Sequence, residues 1–367
     1  MTQSHQKTLS IWLYTVVVFI GALVLIGGYT RLTRSGLSIV QWDVITGVLP
    51  PIGQAAWEDE FAQYKATPEG QLINVNMTLD GYKTIYYVEY FHRLIGRTAG
   101  LIYVLPLFYF LWRGIIPWKK SVPYLTIGLG FAFQGFLGWY MVASGLEDMP
   151  QVSQYRLAAH LMAALSLLAL TFWVALDQRK LAPRLATESR TQGLEAGLRH
   201  LRGPVITLFV LVVIQITYGA FVAGLKAGHV SNTWPLMLGQ WIPGGLFAKL
   251  HPWWLNLFAS ELTVHFVHRW FAFIVLATTI WVYFEARKRS ETAGIQKASL
   301  YVIYLTLVQI TLGILTVWFN VAILAAITHQ GTAMLLFLAI VYLNYEVFAY
   351  RVFAPKEAKL AQPSLAR

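Results

Sequence analysis

The sequence predicts an all-α integral membrane protein of eight transmembrane helices, arranged as two pseudo-symmetric four-helix bundles. Three observations carry that expectation. The 367-residue chain is 57% hydrophobic and 12% charged, more apolar than a water-soluble core of this size needs. Its apolar residues gather into eight runs near the ~20 residues that a ~30 Å hydrocarbon core demands. A polar cluster at the mouth of the second run, Glu89-Tyr90-Phe91-His92-Arg93-Leu94-Ile95-Gly96-Arg97, has a degenerate copy roughly half a chain later, His265-Phe266-Val267-His268-Arg269. Such self-similarity marks an internal duplication.

The first run, Leu9 to Tyr29, follows a short polar segment with one lysine and reads as an uncleaved start-transfer helix. The others are Leu94 to Trp112, Val122 to Val142, Leu157 to Leu176, Val205 to Leu225, Trp270 to Phe284 with its His-bearing lead-in, Leu300 to Phe319 and Val321 to Tyr345. The expected organisation is an N-terminal bundle (1–176), a basic linker (177–203), a C-terminal bundle (204–350) and a polar tail (351–367). A long loop over 30–87 carries Trp42-Asp43, a Pro50-Pro51 turn and a helix-like stretch from Trp57 to Tyr64. A second long loop, Lys226 to Leu262, is rich in interface-seeking tryptophan.

Eighteen of the 28 lysines and arginines fall on one side of these runs, including Lys7, Lys119, Lys120 and the cluster Arg287-Lys288-Arg289. The positive-inside rule then places both termini in the cytoplasm and both long loops outside. With no Arg-rich transit peptide, a bacterial plasma membrane is the expected location. The net charge of +11 lies in short clusters between apolar runs, which argues against nucleic acid as a partner and for lipid. The chain has no cysteine, so disulfides and thiolate-ligated metals are excluded.

Features repeat across the linker. Gln134-Gly135-Phe136-Leu137-Gly138 and Gln309-Ile310-Thr311-Leu312-Gly313 share a Gln-x-x-x-Gly spacing, and the segment from Gly27 to Trp42 echoes that from Gly219 to Trp234. Because even-numbered helices all begin outside, His92, His160, His268 and His329 share one depth. His92 is expected to face His160, and His268 to face His329. Two facing imidazoles in an apolar bundle suit a haem iron, whereas zinc lacks a third ligand beside each pair. Arg93, Arg97 and Arg269 adjoin these histidines, either snorkelling at helix ends or pairing with haem propionates. Gly135, Gly138, Gly219 and Gly313 read as helix-packing positions, and Glu147 and Asp148 as solvated charges. Glu89, one turn from His92, is costly at a bilayer boundary unless used. Its counterpart is His265, so the duplication is chemically asymmetric. Glu89 would relay protons, orient a substrate through Arg93 or Arg97, or simply pair with them.

Gly28 to Ser38, Gly47 to Pro51, Glu89 to Arg97, Gln134 to Leu146, Tyr155 to His160, Tyr218 to Gly228 and His268-Arg269 together resemble the haem A synthase family, in its cysteine-free branch. The resemblance implies oxidation of a methyl group of haem O to a formyl group, giving haem A for terminal oxidases. It implies that His92 and His160 belong to the substrate half, that His268 and His329 ligate a resident haem B, and that Glu89 is needed for turnover. A haem O synthase (a farnesyltransferase), an electron partner and homo-oligomer formation are the associations expected with it. A di-haem cytochrome b-type subunit passing electrons from quinol is the alternative, since it would share the paired histidines.

Overall fold

A computed structural model describes residues 2–42, 46–145, 152–178, 188–290 and 292–348. Eight of its helices are long and apolar enough to cross a membrane. In chain order the helices are α1 (Gln3–Leu32), α2 (Gln54–Lys65), α3 (Pro68–Leu72), α4 (Leu79–Trp112), α5 (Val122–Gly145) and α6 (Gln154–Gln178). There follow α7 (Glu188–Gly224), the short α8 (Asn256–Ala259), α9 (Glu261–Arg289), α10 (Ala293–Trp318) and α11 (Ile323–Phe348). The spans are all of these except α2, α3 and α8.

Several helices outrun the apolar stretches that announce them. α4 begins at Leu79 rather than near Leu94, because Thr78 caps it by accepting from the Gly81 amide at 3.2 Å. Tyr82, Tyr86 and Tyr90, each four residues apart, then line one face. They bury against Trp57 and Tyr64 of α2 in an aromatic cluster, and hydropathy alone does not register such an amphipathic extension. Thus α1 and α4 take up both ends of the expected loop, and its Trp57 to Tyr64 stretch is helical as expected. Likewise α9 starts at Glu261 with Ser260 as its cap, and α7 already runs from Glu188, inside the segment expected as a linker. Glu147, Asp148, Asp43 and the tail 351–367 lie outside the described residues.

The packing partitions the spans. α1 packs on α4 and α6, and α5 on α4 and α6, closing one ring of four. α7 packs on α9 and α11, and α10 on α9 and α11, closing another. The rings meet where α6 touches α7 and α11, and α1 touches α11. One buried cluster runs through both, from Leu13 and Val16 to Leu208, Phe337 and Ile340. Outward faces stay apolar, with Leu129, Phe133 and Phe136 exposed on α5, as lipid-facing surfaces require. At the junction the Gln330 amide donates to the Val24 carbonyl at 2.6 Å.

Candidate functional site

Each site histidine comes from an even-numbered span and rests against a glycine of an odd-numbered one. A Cβ built on Gly27 would lie 3.2 Å from the His92 ring, on Gly138 3.4 Å from His160, on Gly219 3.1 Å from His268 and on Gly313 3.0 Å from His329. The missing side chain is what admits the imidazole between the helices. Gly138, Gly219 and Gly313 are therefore site residues as well as packing positions, while Gly135 faces open space.

Glutamines hold three of the four rings. The Gln134 amide lies 3.1 Å from His160 Nε2 and also donates to the His160 carbonyl. Gln215 lies 3.3 Å from His268 Nδ1 and donates to the His268 carbonyl. Gln309 lies 3.3 Å from His329 Nε2. In His160 and His329 the second nitrogen, Nδ1, is buried with no partner, and a buried polar atom without a partner is costly unless something binds there.

The His268 and His329 rings stand 6.4 Å apart, centre to centre, at 84°. Two metal–imidazole bonds of about 2 Å each, plus the distance from ring nitrogen to ring centre on either side, come close to this separation. The pair would hold a haem iron between its rings. Beside it, Arg269 is buried with Nε and Nη1 unpartnered. Its Nη2 donates to the Thr233 carbonyl, and its guanidinium lies 5.0 Å over the Trp234 ring. Two free buried guanidinium nitrogens suit an anionic partner such as a haem propionate. In the other ring of helices, His160 lies within electrostatic reach of His92.

Glu89 is fully engaged. Its Oε2 accepts from the Ser38 amide at 2.7 Å, the Ser38 hydroxyl at 2.7 Å and the Ile39 amide at 3.0 Å. Its Oε1 accepts from Arg93 Nε at 3.0 Å and Nη2 at 2.6 Å. Five donors on one carboxylate leave no lone pair directed at a substrate. Arg93 also donates to the Ile39 and Gln41 carbonyls and lies 4.6 Å from the Trp42 ring centre. Trp42 in turn reaches within 4.0 Å of the Cβ position of Gly138, beside His160. Arg97 donates to the Gly47 carbonyl. His265, at the place of Glu89, is buried against the Ala227 backbone. In both halves, then, the residue one turn before the site histidine and the arginine after it grip an outer segment that delivers a tryptophan.

Outside the spans, Glu69 of α3 is buried, and burial, with the Glu89 charge adding, pushes its carboxyl up to about 7 despite Arg34 and Lys226. Burial likewise pulls Lys226 below the usual lysine range, with Arg34 and Arg31 adding to it.

The sequence reading missed Gly27, Ser38 and the ring-holding role of the glutamines. The signal for the last was present, since Gln215-Ile216-Thr217-Tyr218-Gly219 repeats the Gln-x-x-x-Gly spacing.

Eight membrane-compatible helices with glycine-seated histidines gathered between them define a multi-pass membrane protein. Residues 10–341 match the COX15-CtaA family, described as cytochrome oxidase assembly protein, and the chain belongs to that family. It is 42% identical over 344 residues to a protein named heme A synthase from Nitrosospira multiformis, covering 93% of this chain and 94% of that one. Proteins of the same name from Agrobacterium fabrum and a Bradyrhizobium are each 42% identical, covering 91% and 89% of this chain and 88% and 87% of theirs.

Proposed function

We propose that the chain is a haem A synthase whose two rings of helices divide the work. It is an oxidoreductase that converts the methyl group of haem O to the formyl group of haem A, as its relatives' shared name indicates. The N-terminal ring takes the substrate between His92 and His160, and the C-terminal ring holds haem B between His268 and His329. When bound, haem B supplies reversible one-electron chemistry. The observation that carries this division is the chemical difference between otherwise matched halves: Glu89 and Arg93 in one, His265 and Arg269 in the other.

The residues of this chain have separable tasks. His268 and His329, fixed by Gln215 and Gln309, keep a resident group in place, and Arg269 meets its carboxylates. Gly27 and Gly138 clear space for the substrate-side imidazoles. Glu89 acts as a positioning residue. By holding Ser38 and Ile39, and through Arg93, it sets Trp42 beside His160 and closes the outer mouth of the site against water. The chain sits in the bacterial plasma membrane with both termini cytoplasmic and both histidine pairs toward the outer face, receiving haem O from a haem O synthase and exchanging electrons with a membrane partner.

Pigment extraction from the purified protein, with chromatography for haems B, O and A, tests the division. Retained haem B with exchangeable haem O or A is expected. Two permanently bound haems B would instead indicate an electron carrier.

A further inference from the structure

Three of the four site histidines are clamped by an amide, and one is not. Gln134, Gln215 and Gln309 each stand four residues before the glycine that faces the ring, one turn deeper in the helix. The same register on α1, four residues before Gly27, is occupied by Leu23. Among the described residues, no side-chain hydrogen bond reaches the His92 ring to match those at His160, His268 and His329.

Leu23 fills the matching slot. Its Cδ2 lies 3.9 Å from the Cβ position of Gly96, one turn beyond His92 on α4. Ala164, Ala272 and Ala333 hold the corresponding place after the other three histidines. Four interfaces therefore share a glycine facing the ring and a small residue one turn on, and they differ in the one side chain lodged between. The torsion that turns an imidazole about its Cβ–Cγ bond is intrinsically broad. An amide held against one ring nitrogen, as those of Gln134, Gln215 and Gln309 are, selects a single orientation of the imidazole. Leucine offers contact without direction.

We infer that His92 is the displaceable member of the substrate-side pair, and that Leu23 is the positioning residue that keeps it so. A substrate haem must enter and its product must leave, whereas a resident haem must not. The clamps follow that demand: both C-terminal histidines are clamped, and one of the two N-terminal histidines is left free to turn. The inference rests on the reading that His92 and His160 hold the substrate iron.

The test is release of haem O from purified, haem-B-containing protein in detergent, followed by transfer to excess apomyoglobin. Leu23→Gln is expected to slow release roughly fivefold, the size of one net hydrogen bond, and to lower KM and kcat together as product release slows. Gln134→Leu, which unclamps His160, is expected to speed release by a similar factor. The haem B spectrum reports folding in every sample and should not move. If Leu23→Gln loses that spectrum, Gln134→Leu carries the test alone, and unchanged release in it overturns the inference. If Leu23→Gln folds and release is unchanged while His92→Ala accelerates it, the inference fails and the histidine assignment stands. If His92→Ala also leaves release unchanged, the assignment itself fails.

Discussion

Replacing Glu89 with glutamine separates two ways in which a carboxylate serves turnover. The native group accepts five hydrogen bonds, three from Ser38 and Ile39 and two from Arg93. A glutamine of the same shape keeps one acceptor oxygen and turns an NH2 toward donors, so either the Ser38–Ile39 side or the Arg93 side is left facing another donor. It also leaves the Arg93 guanidinium, whose side chain is 8% exposed, without its counter-charge. Breaking a buried pair from one side costs about 3–5 kcal/mol, comparable to two lost charge-assisted hydrogen bonds of about 1.5–3 kcal/mol each. That is enough to release the 35–42 segment while the helices, held by a separate core, stay folded. The expected variant keeps its haem B spectrum, accumulates haem O, and exchanges the amides of Ser38 and Ile39 with deuterium at least a hundredfold faster, the equivalent of about 3 kcal/mol. Ser38→Ala, which keeps the charge and removes one donor, should show a milder form of both effects. Loss of haem A with unchanged exchange at 35–42 would refute the clamp and return Glu89 to proton transfer. Full haem A production would remove it from turnover altogether.

His268→Leu or His329→Leu should abolish the low-spin haem B spectrum while leaving haem O binding in the other ring of helices, and an unaltered spectrum in both variants would place the ligands elsewhere. Glu69, whose carboxyl is raised from an ordinary 4.5 to about 7, binds its proton more tightly in the folded chain. Its contribution to the outer segment is therefore complete below about pH 4.5 and is lost as pH rises through about 7. Glu69→Gln should flatten this dependence and stabilise the α2–α3 region above pH 7 by up to about 3 kcal/mol, read as slower proteolysis there at alkaline pH; identical pH profiles for the two proteins would refute it. Reporter fusions at Lys119 should face the cytoplasm and fusions between Trp57 and Tyr64 the outside, and a reversal would overturn the orientation.

The eight spans and the four histidines were legible in the sequence because both are one-dimensional signals. Lipid imposes apolar length on a helix, and a duplicated chain repeats its polar residues at matching places. The span bounds were less legible, since Tyr82, Tyr86 and Tyr90 extend α4 by packing on Trp57 and Tyr64, an aromatic contact between segments far apart in the chain. Glu89 stood out in the sequence as a carboxylate that must be used, yet only tertiary structure decided how. The Ser38 and Ile39 amides that engage it lie about fifty residues away, and a donor's direction has no trace in composition or spacing. The same holds for the histidine clamps. The Gln-x-x-x-Gly spacing is written in the chain, but that the amide meets an imidazole, and that Leu23 stands in its place on α1, depends on which helices become neighbours. Helix formation answers to local hydropathy, whereas the choice of neighbour answers to packing summed over the whole molecule.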